Sequence, residues 1–164
     1  MNSLINEHRN HHRKLLEIMD NLRILLVPER LDIRLNAKAA HQMLRHLAEL
    51  VQVHLSDENH NLYPGLITHQ NAAVRSLAWC FVDGERPICL VFGGYHQKLL
   101  EKRSFNFSSD FLAETLKMVE VLERHIHLEE NTLFPSVEMA TQHDQISTAR
   151  AVTVRGAVRI SQYA

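Results

Sequence analysis

Apolar residues and histidines recur in steps of three and four at the start of the chain. Between Leu4 and about Leu26 the series is Ile5, His8, His12, Leu15, Met19, Leu22 and Leu26, the seam of a bundle helix. Pro28 marks its end. A second helix is expected from about Leu35 to about Tyr63, with the stripe Ala40, Leu44, Leu47, Val51, His54 and Glu58. Pro64-Gly65 weakens or ends it.

Ala72–Val82 reads as a short helix in the connection, and Asp83-Gly84-Glu85-Arg86-Pro87 as a turn. A third helix then runs from about Pro87 to Arg103, with Pro87 suited to its first position. Gly93-Gly94 weakens it by roughly 1 kcal/mol per glycine against alanine. A fourth helix starts after Ser108-Ser109-Asp110, where either serine can cap, and carries the stripe Phe111, Thr115, Met118, Leu122, His125, Glu129 and Thr132. Pro135 closes or kinks it. From Ala140 to Ala164 no period persists. The expected fold is all-α: an antiparallel up-down four-helix bundle over residues 1–139, followed by a C-terminal appendage over 140–164.

Composition narrows the function. The 164 residues are 45% apolar, enough for one domain with a core. A net charge of -1 supplies no basic face, so nucleic acid is not an expected partner. The longest apolar runs, Leu77–Val82 and Ile88–Phe92, fall far short of a membrane span. The polar stretch Met1 to Arg13 has no apolar centre and does not read as a secretory signal. Cys80 and Cys89 form no CxxC and read as reduced thiols, which fits a cytoplasmic protein. Histidine is the exception to this ordinary composition. There are 12, spread from His8 to His143 rather than gathered in a tag, and imidazole is the commonest metal ligand.

Two segments repeat each other. His54-Leu55-Ser56-Asp57-Glu58-Asn59-His60-Asn61-Leu62-Tyr63-Pro64 and His125-Ile126-His127-Leu128-Glu129-Glu130-Asn131-Thr132-Leu133-Phe134-Pro135 both read His-x3-Glu-x3-Leu-aromatic-Pro. Residues i and i+4 of a helix share a face, about 6 Å apart along the axis. Both His–Glu pairs lie on the apolar stripe, where a glutamate is tolerated only when paired or bound to metal. A buried His–Glu hydrogen bond explains one such pair. Two in the same frame favour a cation site, with carboxylates bridging and imidazoles completing the coordination. That donor set suits iron, manganese or zinc. Glu-x2-His and His-Glu-x2-His are both absent, so ferritin-like and zinc-protease arrangements do not apply.

The paired segments resemble the signature of the hemerythrin-like, or HHE, cation-binding domain, and the resemblance spans about Leu4 to Glu138. It implies two non-haem irons, oxo- or hydroxo-bridged, held by His54 and Glu58, by His125 and Glu129, by one histidine of the first helix and by one or two of the third. His8 matches the first-helix ligand best, and His96 is the candidate in the third. His12, four residues after His8, is either an additional imidazole ligand or a group supporting the site. Oxygen-carrying hemerythrins have His-x3-His on the third helix and a carboxylate five residues after the fourth-helix histidine. Here Leu100 follows His96 at that spacing, and Glu129 lies four after His125. The set is similar to that of bacterial members linked to nitric oxide stress and iron-centre repair. The resemblance implies O2 or NO as small-molecule ligand and leaves three functions open: binding or sensing these gases, redox chemistry or repair of iron centres, and iron storage or a structural metal. It leaves open both enzymatic activity and assembly into a homo-oligomer.

Overall fold

In a computed structural model the described residues are 2–101 and 106–143, and among them there is no strand. Helix α1 spans Asn2–Leu25, a single turn α2 spans Pro28–Leu31, and α3 spans Arg34–Asp57. A π-helical turn, Glu58–Leu62, joins α3 to α4, Tyr63–Ile67. Helix α5 is Ala72–Glu101 and α6 is Ser109–Leu128. A second π-helical turn, Glu129–Leu133, leads into a last helical stretch, α7, over residues 134–143. Contacts of α1 with α3, α3 with α5, α5 with α6 and α6 with α1 close a four-helix bundle. Ion pairs show the antiparallel run: Arg9 near the start of α1 meets Glu130 and Glu138, and Arg23 near its end meets Glu123. No described helix is long and apolar enough to cross a membrane.

Three expectations change. The turn expected at Asp83–Pro87 is absent, and the short helix and the third helix are one helix, α5, with Pro87 inside it. Its buried positions Val74, Ala78, Glu85, Phe92, Tyr95 and Leu99 keep helical spacing straight through the turn-like segment. Packing of that stripe against α4, α3 and α6 overrides the local cost of Gly84 and Pro87. Likewise the helix does not stop at Pro64 or at Pro135; each proline follows a π turn and the chain stays helical, to Ile67 and to residue 143. Proline brings no N–H, which suits a place where the hydrogen-bond ladder is already offset, with Tyr63 N–H bonding the Glu58 carbonyl and Phe134 N–H the Glu129 carbonyl. The start of α6 is as expected, with Ser108 in extended conformation accepting from the Phe111 N–H at 3.3 Å. The appendage expected from Ala140 lies outside the described residues from 144 onward, while Ala140 itself is buried.

The core is in two parts. A larger apolar cluster holds Leu15, Met19, Leu22, Leu44, Leu47, Val51, Tyr95, Leu99, Met118 and Leu122, among others. A smaller one holds Ile5, Leu62, Tyr63, Leu66, Val74, Leu133, Phe134 and Val137. Between them lies a buried polar layer of His8, His12, His54, Glu58, Glu85, His125 and Glu129. The repeated segments build this division. Their His and Glu enter the polar layer, while Leu62-Tyr63 and Leu133-Phe134 fill the smaller cluster. Each fully buried leucine contributes about 1.5–3 kcal/mol by transfer from water.

Candidate metal centre

Glu58 and Glu129, the first residues of the two π turns, are completely buried. Such turns are frequent at functional sites. The two oxygens of each carboxylate face different histidines. Glu58 Oε1 lies 3.0 Å from His54 Nε2 and 3.9 Å from His12 Nε2, whereas Oε2 lies 3.8 Å from His125 Nε2. Glu129 Oε2 lies 3.2 Å from His12 Nε2, whereas Oε1 lies 3.8 Å from His125 Nε2. Ligating atoms of His12, His54, Glu58 and Glu129 all fall within 4.8 Å of one another, close enough for a shared cation.

These contacts are near in distance but not aligned as hydrogen bonds. His12 Nε2, both nitrogens of His54, both oxygens of Glu58, His125 Nε2 and Glu129 Oε2 are buried without a hydrogen-bond partner. Native proteins leave few buried polar atoms in this state. Gathering them in one layer with imidazole and carboxylate chemistry fits a pair of divalent or trivalent cations.

The electrostatics of the layer agree. Burial raises the Glu58 carboxyl, but His12, His125 and His54 outweigh it and hold it well below the usual carboxylate range. Glu129 goes the other way, raised by burial and by the charge of Glu58. Burial opposes a charged His12, yet the carboxylates of Glu129 and Glu58 close beside it push it up to about 10. His12 is therefore held as a charged imidazole beside the Glu58 carboxylate. Metal ligation needs ionised carboxylates and neutral imidazoles, so a cation held here would displace the His12 proton.

Neighbouring residues orient the ligating groups. Glu130 Oε1 lies 2.7 Å from His12 Nδ1, leaving Nε2 to face the glutamates, and Arg9 holds Glu130 at 3.1 Å. The buried Tyr63 hydroxyl donates to Glu129 Oε1 at 2.7 Å. Phe134 stacks on His12 with ring centres 5.5 Å apart and 8° between planes.

His54, Glu58, His125 and Glu129 thus come together, as the spacing implies. On α1 it is His12, not His8, that reaches the glutamates. His8 is buried one turn away, with Nε2 3.4 Å from Asp57 and its ring 5.8 Å from that of His54. Imidazole nitrogens of His8, His11 and His54 also come within 4.8 Å of one another. His96 is not brought to the layer; it is half-buried and stacks on Phe92 with ring centres 6.0 Å apart. The register explains why. Tyr95 of α5 is level with Thr115 of α6, to which it hydrogen-bonds at 2.8 Å. His125 is ten residues further along α6, so its level on the antiparallel α5 lies about 15 Å before Tyr95. That is the level of Glu85, which sequence reasoning placed in a turn. The missed signal was a glutamate in register with Ala78 and Phe92.

The model of the Hemerythrin HHE cation binding domain matches residues 3–137. The chain belongs to this family. The match covers every helix that contributes to the polar layer, and the bundle has the all-α architecture the resemblance implies. This hemerythrin-like domain holds a His/Glu cluster capable of binding a di-iron site. Neither a curated protein nor a solved structure matches the chain significantly.

Proposed function

We propose that this hemerythrin-like domain carries two non-haem irons and binds or senses O2 or NO with them. The observation that supports it best is the division of both carboxylates. Each turns one oxygen toward the His12 and His54 side and the other toward His125. That is the arrangement two bridging glutamates need. A bound iron pair supplies reversible electron exchange with a small gaseous ligand, and the chain's own groups shape access to it. An apolar cleft of about 310 Å³ runs along α5 and α6 to His125, lined by Phe81, Ile88, Val121 and Leu128. Such a lining favours small neutral molecules over charged metabolites. The test is iron analysis with an absorption spectrum before and after dithionite, then on exposure to O2 or NO. A spectrum that changes and recovers with the gas supports binding or sensing. Sustained consumption of gas or peroxide under reductant points to an enzyme instead, and colourless metal indifferent to both gases rejects the proposal.

A further inference from the structure

The two halves of the bundle repeat each other beyond the paired motifs. His54 and Glu58 on the α3 side correspond to His125 and Glu129 on the α6 side. The helices that precede them, α1 and α5, correspond in the same way. His12 of α1 is held by Glu130, the residue after the glutamate of one segment. Glu85 of α5 is held by Asn59, the residue after the glutamate of the other, whose side-chain amide donates to Glu85 Oε1 at 2.6 Å. One turn before His12, the His8 ring lies 5.8 Å from that of His54; one turn before Glu85, the Phe81 ring lies 6.3 Å from that of His125. Glu85 therefore occupies the place on α5 that His12 occupies on α1.

Its surroundings agree with that place. Glu85 is 1% exposed, inside a bundle where an unpaired buried carboxylate is rarely tolerated. Oε1 accepts from Asn59, while Oε2 is buried without a hydrogen-bond partner. His125 shares its side of the glutamates with no second imidazole among the described residues that the ion-pair contacts reveal.

We propose that Glu85 is the terminal ligand that α5 gives to the second iron, the one on the His125 side. This rests on the di-iron reading above and makes the pair chemically unequal. The first iron has two imidazoles, from His12 and His54, besides the shared glutamates. The second has one imidazole and one terminal carboxylate. Oxygen donors favour harder, higher-valent ions, so the second iron is the more readily kept ferric. It is also the one beside the cleft, whose lining includes Gly84 and His125. The α5 ligand is then a carboxylate rather than His96.

The test compares the iron-loaded wild-type chain with Glu85→Gln, Glu85→Asp and Glu85→His, read by iron content, circular dichroism and Mössbauer spectroscopy. Glutamine keeps the amide oxygen that accepts from Asn59 and loses only the anionic donor, so a purely structural role leaves it unaffected. Wild type is expected to show two distinguishable iron environments in equal amount. Glu85→Gln is expected to fall from about two irons per chain to about one, losing the carboxylate-rich environment. Glu85→Asp or Glu85→His is expected to regain the second iron, in a carboxylate-rich environment for the aspartate and with a changed spectrum for the histidine. A folded Glu85→Gln chain that keeps both irons with unchanged spectra overturns the assignment and leaves the di-iron reading standing. So does iron loss that neither replacement recovers. A wild-type chain with no paired iron overturns both.

Discussion

Two buried polar layers of the bundle behave in opposite ways. Tyr95 and Thr115 lie deep in the larger core, 2% and 0% exposed. The Tyr95 hydroxyl bonds Thr115, Thr115 in turn donates to the Phe111 carbonyl at 2.6 Å, and the Tyr95 and Phe111 rings stack. The two side chains satisfy one another. About 15 Å further along α6 His125 is also buried, and one turn beyond it Glu129 is completely buried, yet each leaves an atom without a partner. Equal burial with opposite satisfaction separates structural polarity from functional polarity. The first layer is complete within the protein; the second leaves a His/Glu cluster with the geometry to hold a cation.

The largest effect that can break this contrast is loss of a bridge. Glu58→Ala or Glu129→Ala should abolish the paired-iron spectrum and cut iron from about two per chain to one or fewer. The cognate exposed histidines His60 and His127 serve as controls, and their alanine variants should retain it. Metal analysis with absorption spectra checks both. A bridging variant with an unchanged spectrum would place the site elsewhere.

The next effect separates two histidines of one helix. His12→Ala removes the imidazole facing both glutamates and should cost an iron. His8→Ala removes a neighbour, and should weaken iron affinity by no more than about 10–100-fold, the usual range for outer groups. Competition with a graded chelator ranks them, and a reversed order would exchange their roles.

In the satisfied layer the response should be small and indifferent to metal. Tyr95→Phe deletes one hydroxyl, while Thr115 keeps its bond to Phe111. A loss of about 1 kcal/mol is expected, with iron content unchanged. Urea denaturation and metal analysis on the same sample show it. Iron loss there would dissolve the distinction between the layers.

The smallest effect has the opposite sign. Gly93 and Gly94 are exposed in α5, with nothing within 4 Å of an added Cβ. Alanine at either should stabilise by about 0.5–1 kcal/mol through helix propensity, with no change in iron binding. Thermal melts measure it; destabilisation would mean the glycines have a packing role.

These contrasts show what the sequence could and could not convey. His54, Glu58, His125 and Glu129 were legible because each pair lies within one helix, where i and i+4 spacing determines the shared face. The bundle was legible for the same reason: the stripes of α1, α3 and α6 are uninterrupted. The choice between His8 and His12 was not, since both share the seam of α1 and only the axial level of α3 and α6 separates them. His96 looked favourable because a histidine is the implied ligand type, but its level depends on the register of α5 against α6. Glu85 was hidden by its neighbours. Asp83-Gly84 and Arg86-Pro87 carry strong turn chemistry, and only packing along the whole of α5 keeps that segment helical.

The central claim is that Glu58 and Glu129 join two irons, one on the His12 and His54 side and one beside His125. Mössbauer spectroscopy of the oxidised, iron-loaded chain in an applied magnetic field tests it most directly. Two ferric ions bridged by the shared carboxylates should couple to a diamagnetic ground state, with both irons present in equal amount. A single iron per chain, or two ferric ions that behave as isolated paramagnets, would contradict it.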